Sequence, residues 1–257
     1  MVLVTGAGAG IGAALAVAAA EAGAAAVVAV DVDGPAAEAT AAQVRDAGVA
    51  AVAAHTDVTD AAAVRSLVTA ARAQHGPLGA VFSNAGAAVG MGLHAPGALW
   101  DKAWAVNVRA HVTLAQAALP VMARDGGGHL MITASAAGLL GLPGDAPYAV
   151  TKAAAVALAE WLARDAAPHG IRVSALCPLG VRTGLLMPAV EAGHPAGLAV
   201  AGMGPILDPA EVAAAALAGL AEDRFLVLPH PEVGPLYAAK AADPEAWLAT
   251  DPAAARR

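Results

Sequence analysis

Tyr148 and Lys152 stand four residues apart in "APYAVTKAAA", a segment otherwise almost all alanine in a chain with only two tyrosines. The alanines favour a helix, on which positions i and i+4 share a face with Cβ atoms about 5–6 Å apart. A phenol, with a pKa near 10 in water, becomes a usable general acid/base when a neighbouring ammonium favours its phenolate. An aromatic packed beside a lysine that snorkels to solvent has the same spacing, so the pair needs support from elsewhere. A second candidate opens the chain, where "VTGAGAGIGAAL" sets Gly6, Gly10 and Gly12 between a strand pattern and a helix pattern. There, backbone N–H groups can approach a pyrophosphate at the helix N-terminus, where the dipole also favours negative charge. Three glycines in an Ala/Gly-rich chain also fit plain turn chemistry. Asp31, near the end of "VAVDVD", strengthens the nucleotide reading, because an acid ending the second strand can hydrogen-bond the ribose hydroxyls of an adenosine.

The elements that must position these residues follow an alternating pattern. Strand patterns at "MVLV", "AAVVAV", "VAAVAAH", "GAVFS", "HLMITAS", "IRVSALC" and "RFLVL" are separated by alanine-rich helix patterns, one of them running unbroken from Trp100 to Ala123. Such alternation predicts βαβ units and a parallel sheet with helices on both faces, and strands apolar on both sides suit burial in it. No linker of distinct composition divides the chain, which predicts a single domain over 1–257. The segment Gly184–Leu207 is long, apolar and punctuated by Gly and Pro, as a substrate-covering lid loop would be.

Composition narrows the function classes. Hydrophobic residues make up 58% of the chain, yet much of that is alanine, and the longest uncharged runs carry glycine, proline and polar residues. They do not read as a bilayer span of about 20 apolar residues, and the N-terminus lacks the basic region of a signal peptide. A net charge of −7 without a basic cluster argues against a nucleic-acid surface. A single cysteine, Cys177, permits no internal disulfide and suits the cytoplasm; it reads as a buried strand-end thiol. Eight histidines without paired spacing, and no cysteine pair, indicate no metal site.

The order and spacing of these motifs resemble the compact branch of the short-chain dehydrogenase/reductase family over nearly the whole chain. The residues carrying the resemblance, besides Gly6-xxx-Gly10-x-Gly12 and Tyr148-xxx-Lys152, are Asp57-Val58, Asn84-Ala85-Gly86, Asn107 in "WAVNV", Ser135 thirteen residues before Tyr148, and Pro178 to Thr183. The resemblance implies a Rossmann-type, doubly wound, mostly seven-stranded parallel sheet. It further implies an NAD-dependent alcohol dehydrogenase or carbonyl reductase in which Asn107, Ser135, Tyr148 and Lys152 are catalytic. Ser135 would bond the substrate oxygen, Lys152 the nicotinamide ribose, and Asn107 a water leading from Lys152 toward solvent. The cofactor would be held by Gly6, Gly10, Ile11, Gly12, Asp31, Asp57, Val58, Asn84, Ala85, Gly86, Tyr148, Lys152, Pro178, Val181 and Thr183.

Two departures stand out. Leu179 replaces the glycine usual after the family's proline and should crowd the nicotinamide or substrate, whereas Ser83 replaces the first asparagine of "NNAG" with little expected effect. No Lys or Arg precedes Arg45, which favours NAD over a cofactor carrying a 2′-phosphate. The lid carries no Lys or Arg either, so the expected partner is a neutral, mainly apolar small-molecule substrate. The helices bearing Asn107 and Lys152 carry apolar residues on more than one face, which predicts a homodimer or homotetramer. The alternatives are a lyase or epimerase using bound NAD, and a cofactor-binding regulator without turnover.

Overall fold

The computed structural model describes residues 1–249; the last eight positions of the expected domain span lie outside the described residues. Seven parallel strands form one sheet in the order β3-β2-β1-β4-β5-β6-β9. In chain order the elements are β1 Val2–Thr5, α1 Gly10–Glu21, β2 Ala26–Asp31, α2 Gly34–Asp46, β3 Ala50–His55, α3 Ala61–His75 and β4 Ala80–Ser83. Then come α4 Gly97–Trp104, α5 Ala110–Arg124, β5 Gly128–Thr133, α6 Ala136–Leu140, α7 Ala146–Ala166, β6 Ile171–Leu176 and β7 Gly180–Val181. The last are α8 Met187–Glu191, α9 Pro195–Met203, β8 Ile206–Leu207, α10 Pro209–Ala221, β9 Leu226–Val227, α11 Val233–Ala242 and α12 Pro244–Ala249.

The pleat sorts the apolar strand residues to two faces. Leu3, Val81, Leu130 and Ile132 pack with Val64 and Val68 of α3, Leu114 of α5 and Ala155 of α7. Val4, Phe82 and Met131 pack on the opposite side with Leu15 of α1, Val44 of α2 and Val212 of α10. Helix starts are marked chemically: Asp33 accepts from the Ala36 N–H and precedes Pro35 in the first turn of α2, and Asp60 accepts from Ala62 and Ala63 at the start of α3.

Strand β1 lies between β2 and β4, with Leu3 opposite Val28 on one side and Val81 on the other. The chain therefore reverses its direction of travel through the sheet at β1. The carboxyl ends of the strands at such a reversal point are where ligands of these sheets bind.

The strands and the main helices lie where the sequence pattern predicted them, with three differences. The helix expected across Trp100–Ala123 contains a π turn at Ala105–Arg109, between α4 and α5, and Asn107 sits in it. The segment expected as a lid loop is mostly ordered: α8 and α9 lie within it, and β7 pairs with β8 (Val181 opposite Leu207) to close it off as a small two-stranded sheet. Helix α6 and the terminal pair α11–α12 were not read from the sequence. Among the described residues no helix is long and apolar enough to cross a membrane.

Candidate active site

The loop after β1 builds one end of a cleft. Gly6 and Gly10 have φ of +66° and +55°, the left-handed region that favours glycine. A Cβ on Gly6 would lie 2.9 Å from the Ala85 Cα, and one on Gly10 would lie 3.0 Å from Thr183 Cγ2, so the loops after β1, β4 and β7 meet here. Helix α1 begins after Ala9 with no side-chain cap, which leaves its first N–H groups available to an anion. Gly12 does not line the cleft; a Cβ there would run into the Gly6 carbonyl, so it serves the packing of α1 under the loop. Gly8, which sequence reasoning passed over, matters more: its N–H donates to Asp31 Oδ2 at 2.8 Å, and an added Cβ would lie 2.9 Å from the same oxygen. Asp31 Oδ1 accepts from the Asp33 N–H at 2.9 Å. Each carboxylate oxygen retains acceptor capacity, so Asp31 fits the ribose role assigned to it.

Asp57, Val58, Asn84, Ala85 and Gly86 line the same cleft with Ile11. Asp57 Oδ1 is engaged locally, accepting from the Thr59 N–H and hydroxyl, both at 2.8 Å. Asn84 straps the ends of β1 and β4 together: its Nδ2 donates to the Thr5 carbonyl at 3.0 Å, and its backbone N–H donates to Thr5 Oγ1 at 2.9 Å.

Tyr148 and Lys152 form the opposite wall, both on α7 with the Lys152 Nζ 5.7 Å from the centre of the Tyr148 ring. Lys152 is buried, donates to the Thr133 carbonyl at 2.7 Å, and is brought down to about 8 by burial. Burial raises the Tyr148 phenol, a hydrogen bond from Ser135 opposes that rise, and the Asp145 charge adds to it. The spacing predicts that the lysine lowers the tyrosine; desolvation is instead the largest influence in the chain by itself. Ser135 lies past the end of β5 rather than in it and caps α6, accepting from the Ala137 N–H at 3.1 Å.

Asn107 is fully buried and its amide is occupied by protein groups. Oδ1 accepts from the Ala87 N–H and Nδ2 donates to the Ala87 carbonyl, both at 2.8 Å, with a further bond from Nδ2 to Thr151 Oγ1 at 3.0 Å. It therefore grips the loop after β4 and the residue beside Lys152. A π turn, recurrent at functional sites, presents it there.

Two further residues escaped sequence reasoning. Asp145, the N-cap of α7, accepts from the Tyr148 N–H at 3.0 Å and from the Val89 and Gly90 N–H groups at 2.7 and 2.6 Å, joining the tyrosine's helix to the loop after β4. His111, one turn beyond Asn107, meets Ser83 through Nδ1 at 2.6 Å. Ser83 is thus the partner of a buried histidine. Burial, followed by the Lys152 charge, pulls His111 down to about 3. Cys177 is fully buried and pushed up to about 12, chiefly by burial, as an inert thiol should be.

The cleft between these walls holds about 1220 Å³ and reaches Pro178, Leu179, Val181 and Thr183, then the inner faces of α8 and α9. Leu186, Pro188 and Val200 give it apolar cover, and His194 of the same segment, Asp145 and Lys102 of α4 are among its polar lining. Lys102, which a count of charges in the lid alone omits, is exposed.

A parallel sheet with a glycine loop at its reversal point, facing a Tyr/Lys helix across one cleft, is a Rossmann-type arrangement. The chain belongs to the short chain dehydrogenase family, whose model matches residues 1–193. It is 37% identical over 143 residues to 2-(S)-hydroxypropyl-CoM dehydrogenase 3 of Xanthobacter autotrophicus, covering 55% of this chain and 56% of that protein. It is also 37% identical over 138 residues to 2-keto-3-deoxy-L-fuconate dehydrogenase of Xanthomonas campestris, covering 53% and 45%. The chain thus spans about half the length of the curated relatives it matches. Solved structures match more fully. A short chain dehydrogenase/reductase from Burkholderia phymatum in complex with NAD superposes with a TM-score of 0.84 at 29% identity, covering 95% of this chain and 94% of the other. Levodione reductase superposes with a TM-score of 0.82 at 28% identity, covering 93% and 97%.

Proposed function

We propose that this chain is an NAD(H)-dependent oxidoreductase that interconverts a neutral, mainly apolar secondary alcohol and its ketone, with Tyr148 as general acid/base. The observation that carries this reading is the convergence of Ser135, Tyr148 and Lys152 on the cleft whose far end holds the glycine loop and Asp31. Two relatives, 2-(S)-hydroxypropyl-CoM dehydrogenase 3 and 2-keto-3-deoxy-L-fuconate dehydrogenase, support the oxidoreductase part of this reading; both names carry an anionic substrate, so the neutral class rests on the cleft lining of this chain alone.

Bound nicotinamide would supply the hydride acceptor and, when oxidised, a positive charge that favours the phenolate. The chain's residues handle orientation and the proton. Ser135 holds the alcohol oxygen, and the hydroxyl proton passes to the Tyr148 oxygen as the carbinol carbon gives up its hydride; in reduction the same proton returns. Lys152, buried and near 8, balances the phenolate charge and holds the ribose hydroxyls. Asn107 and Asp145 act on geometry, fixing the loop after β4 against the helix of Tyr148. Gly6, Gly10, Ile11, Asp31, Asp57, Val58, Asn84, Ala85, Gly86, Pro178, Val181 and Thr183 hold the dinucleotide.

A screen of secondary alcohols with NAD, followed at the nicotinamide absorbance, tests this directly. Absence of turnover across the screen, with NADH still bound, would favour the non-catalytic alternative, for which there is precedent: a Xanthobacter autotrophicus protein named as inactive is 37% identical over 146 residues. The same proposal includes a cytoplasmic setting, suggested by the lone Cys177, one domain with a lid at 184–207, and a second or fourth copy against α7. Val150 and Trp161 on that helix are 50% and 62% exposed, and a Trp161→Arg variant that kept the wild-type mass in light scattering would rule that helix out.

A further inference from the structure

His230 lies beyond β9, fifty residues in sequence from the segment it touches, and is fully buried. Its ring bonds two consecutive residues of the chain. The Leu179 N–H donates to Nδ1 at 3.1 Å, and Nε2 lies 2.9 Å from the Gly180 carbonyl. Because Nδ1 accepts, the proton sits on Nε2 and is donated to that carbonyl; burial, which lowers the basicity of His230, keeps the ring in this neutral form. The segment is confined on its other sides as well. The Ala136 N–H donates to the Pro178 carbonyl at 2.8 Å, next to Ser135, and a Cβ on Gly180 would lie 3.2 Å from Val200 Cγ1 of the lid. Leu179 lines the cleft between these supports.

We infer that His230 is a positioning residue for substrate selection: by holding the Leu179 N–H and the Gly180 carbonyl together it sets where the Leu179 side chain stands in the cleft, and hence which substrates fit. His230 does not line the cleft, so its influence is exerted through Leu179, which does. An amide carries the same acceptor–donor pair as the neutral ring, whereas an aliphatic side chain carries neither. The inference rests on the oxidoreductase reading above.

The test compares wild type, His230→Leu, His230→Gln, Leu179→Gly and the His230→Leu/Leu179→Gly double variant, using the best secondary alcohol from the screen, with Tyr148→Phe as control. His230→Leu should raise KM or lower kcat/KM tenfold or more while the Kd for NADH, from its fluorescence, moves less than threefold. His230→Gln should recover most of the loss. In the Leu179→Gly background the effect of His230→Leu should shrink below threefold. A kinetically silent His230→Leu, a Gln variant no better than Leu, or an undiminished effect without the Leu179 side chain would each overturn the inference. If the Leu variant does not fold, nitrogen NMR of the wild-type ring decides: a His230 that is not the Nε2–H tautomer at neutral pH overturns it. Turnover surviving in Tyr148→Phe, or no turnover by wild type, would instead be the failure of the oxidoreductase reading. In that event the emission of bound NADH, which reads the nicotinamide's surroundings, must still differ between wild type and His230→Leu for the inference to stand.

Discussion

Asp31 Oδ2 accepts the Gly8 N–H at 2.8 Å, so the acid at the end of β2 is tied to the loop after β1 while facing the place where an adenosine ribose would lie. A 2′-phosphate there meets a carboxylate, and like charges about 4 Å apart repel by roughly 4 kcal/mol at an effective dielectric near 20. The site is open to water, which reduces the preference for NAD to about 1–3 kcal/mol, or roughly tenfold to a hundredfold. Because Asp31→Ala would also free the Gly8 N–H, Asp31→Asn is the cleaner variant: it removes the charge and keeps an acceptor. The kcat/KM ratio for NAD over NADP should fall at least fivefold in Asp31→Asn; an unchanged ratio would remove Asp31 as the discriminator.

Tyr148→Phe should abolish turnover, with a loss on the order of a hundredfold to ten-thousandfold, and leave NADH affinity nearly intact. Lys152→Met should weaken both, since Nζ lies beside Gly86, whose added Cβ would come within 3.2 Å of it. Retention of more than a few per cent of the wild-type rate by Tyr148→Phe would show that the proton leaves by another route.

Substrate charge can be tested at Lys102. The segment 184–207 carries no Lys or Arg, but Lys102 of α4 lines the same cleft and is exposed. An exposed ion pair contributes about 0–1 kcal/mol, so a carboxylate on the substrate should gain fivefold at most. Neutral ketones should therefore be preferred over keto acids and acyl thioesters bearing phosphates. A keto acid with the highest kcat/KM, falling tenfold in Lys102→Met, would replace the neutral substrate by an acidic one.

The strands were legible in the sequence because buried parallel strands are apolar on both faces: "AAVVAV" and "IRVSALC" have no other comfortable setting. The meeting of Tyr148, Lys152 and the glycine loop at one cleft was legible because it rests on local spacing. Contacts between distant segments were not. Asp145 announces itself as a helix cap ahead of Pro147, but its bonds to Val89 and Gly90 cross 56 and 55 residues. The π turn around Asn107 has no local signature in "WAVNV", since the bonds that favour it run to Ala87 and Thr151. The bond between Ser83 and His111 was hidden for the same reason: the two come from different elements.

Asp145 should therefore matter to stability and catalysis together. Its carboxylate accepts three backbone N–H groups, and hydrogen bonds to a charged acceptor contribute about 1.5–3 kcal/mol each at most. Asp145→Ala should lower stability by about 2–4 kcal/mol, the bonds being non-additive, and cut kcat more than it weakens NADH binding. Asp145→Asn, which still caps the helix, should recover most of the stability. A loss of stability without any loss of kcat would show that the loop after β4 does not depend on this clamp for its working position.

Two buried histidines, His111 and His129, should make stability depend on pH. His111 is pulled down to about 3 and His129 to about 4, chiefly by burial. Each is anchored to a serine, His111 to Ser83 at 2.6 Å and His129 to Ser174 at 2.7 Å. In the unfolded chain both would titrate near 6.5. Above that value neither state binds the proton, and the stability of the neutral, buried rings is fully present. As pH falls below 6.5 the unfolded chain takes up protons that the folded chain refuses, so stability falls until the folded-state values are reached. Each histidine contributes a slope of at most about 1.4 kcal/mol per pH unit. Carboxylates with lowered values, such as Asp60 and Asp125, add to the loss only from about pH 5 downward, as the unfolded chain begins to protonate them, so the upper part of the window belongs to the histidines. Urea midpoints should therefore drop steadily between pH 6.5 and 4.5. A His111→Gln variant should be less stable at pH 7 by about 1–3 kcal/mol, the cost of a disturbed buried hydrogen bond, yet lose stability less steeply over the same window. Parallel wild-type and variant slopes would mean that His111 takes up its proton in the folded protein without penalty, and that the cavity around it admits the charge.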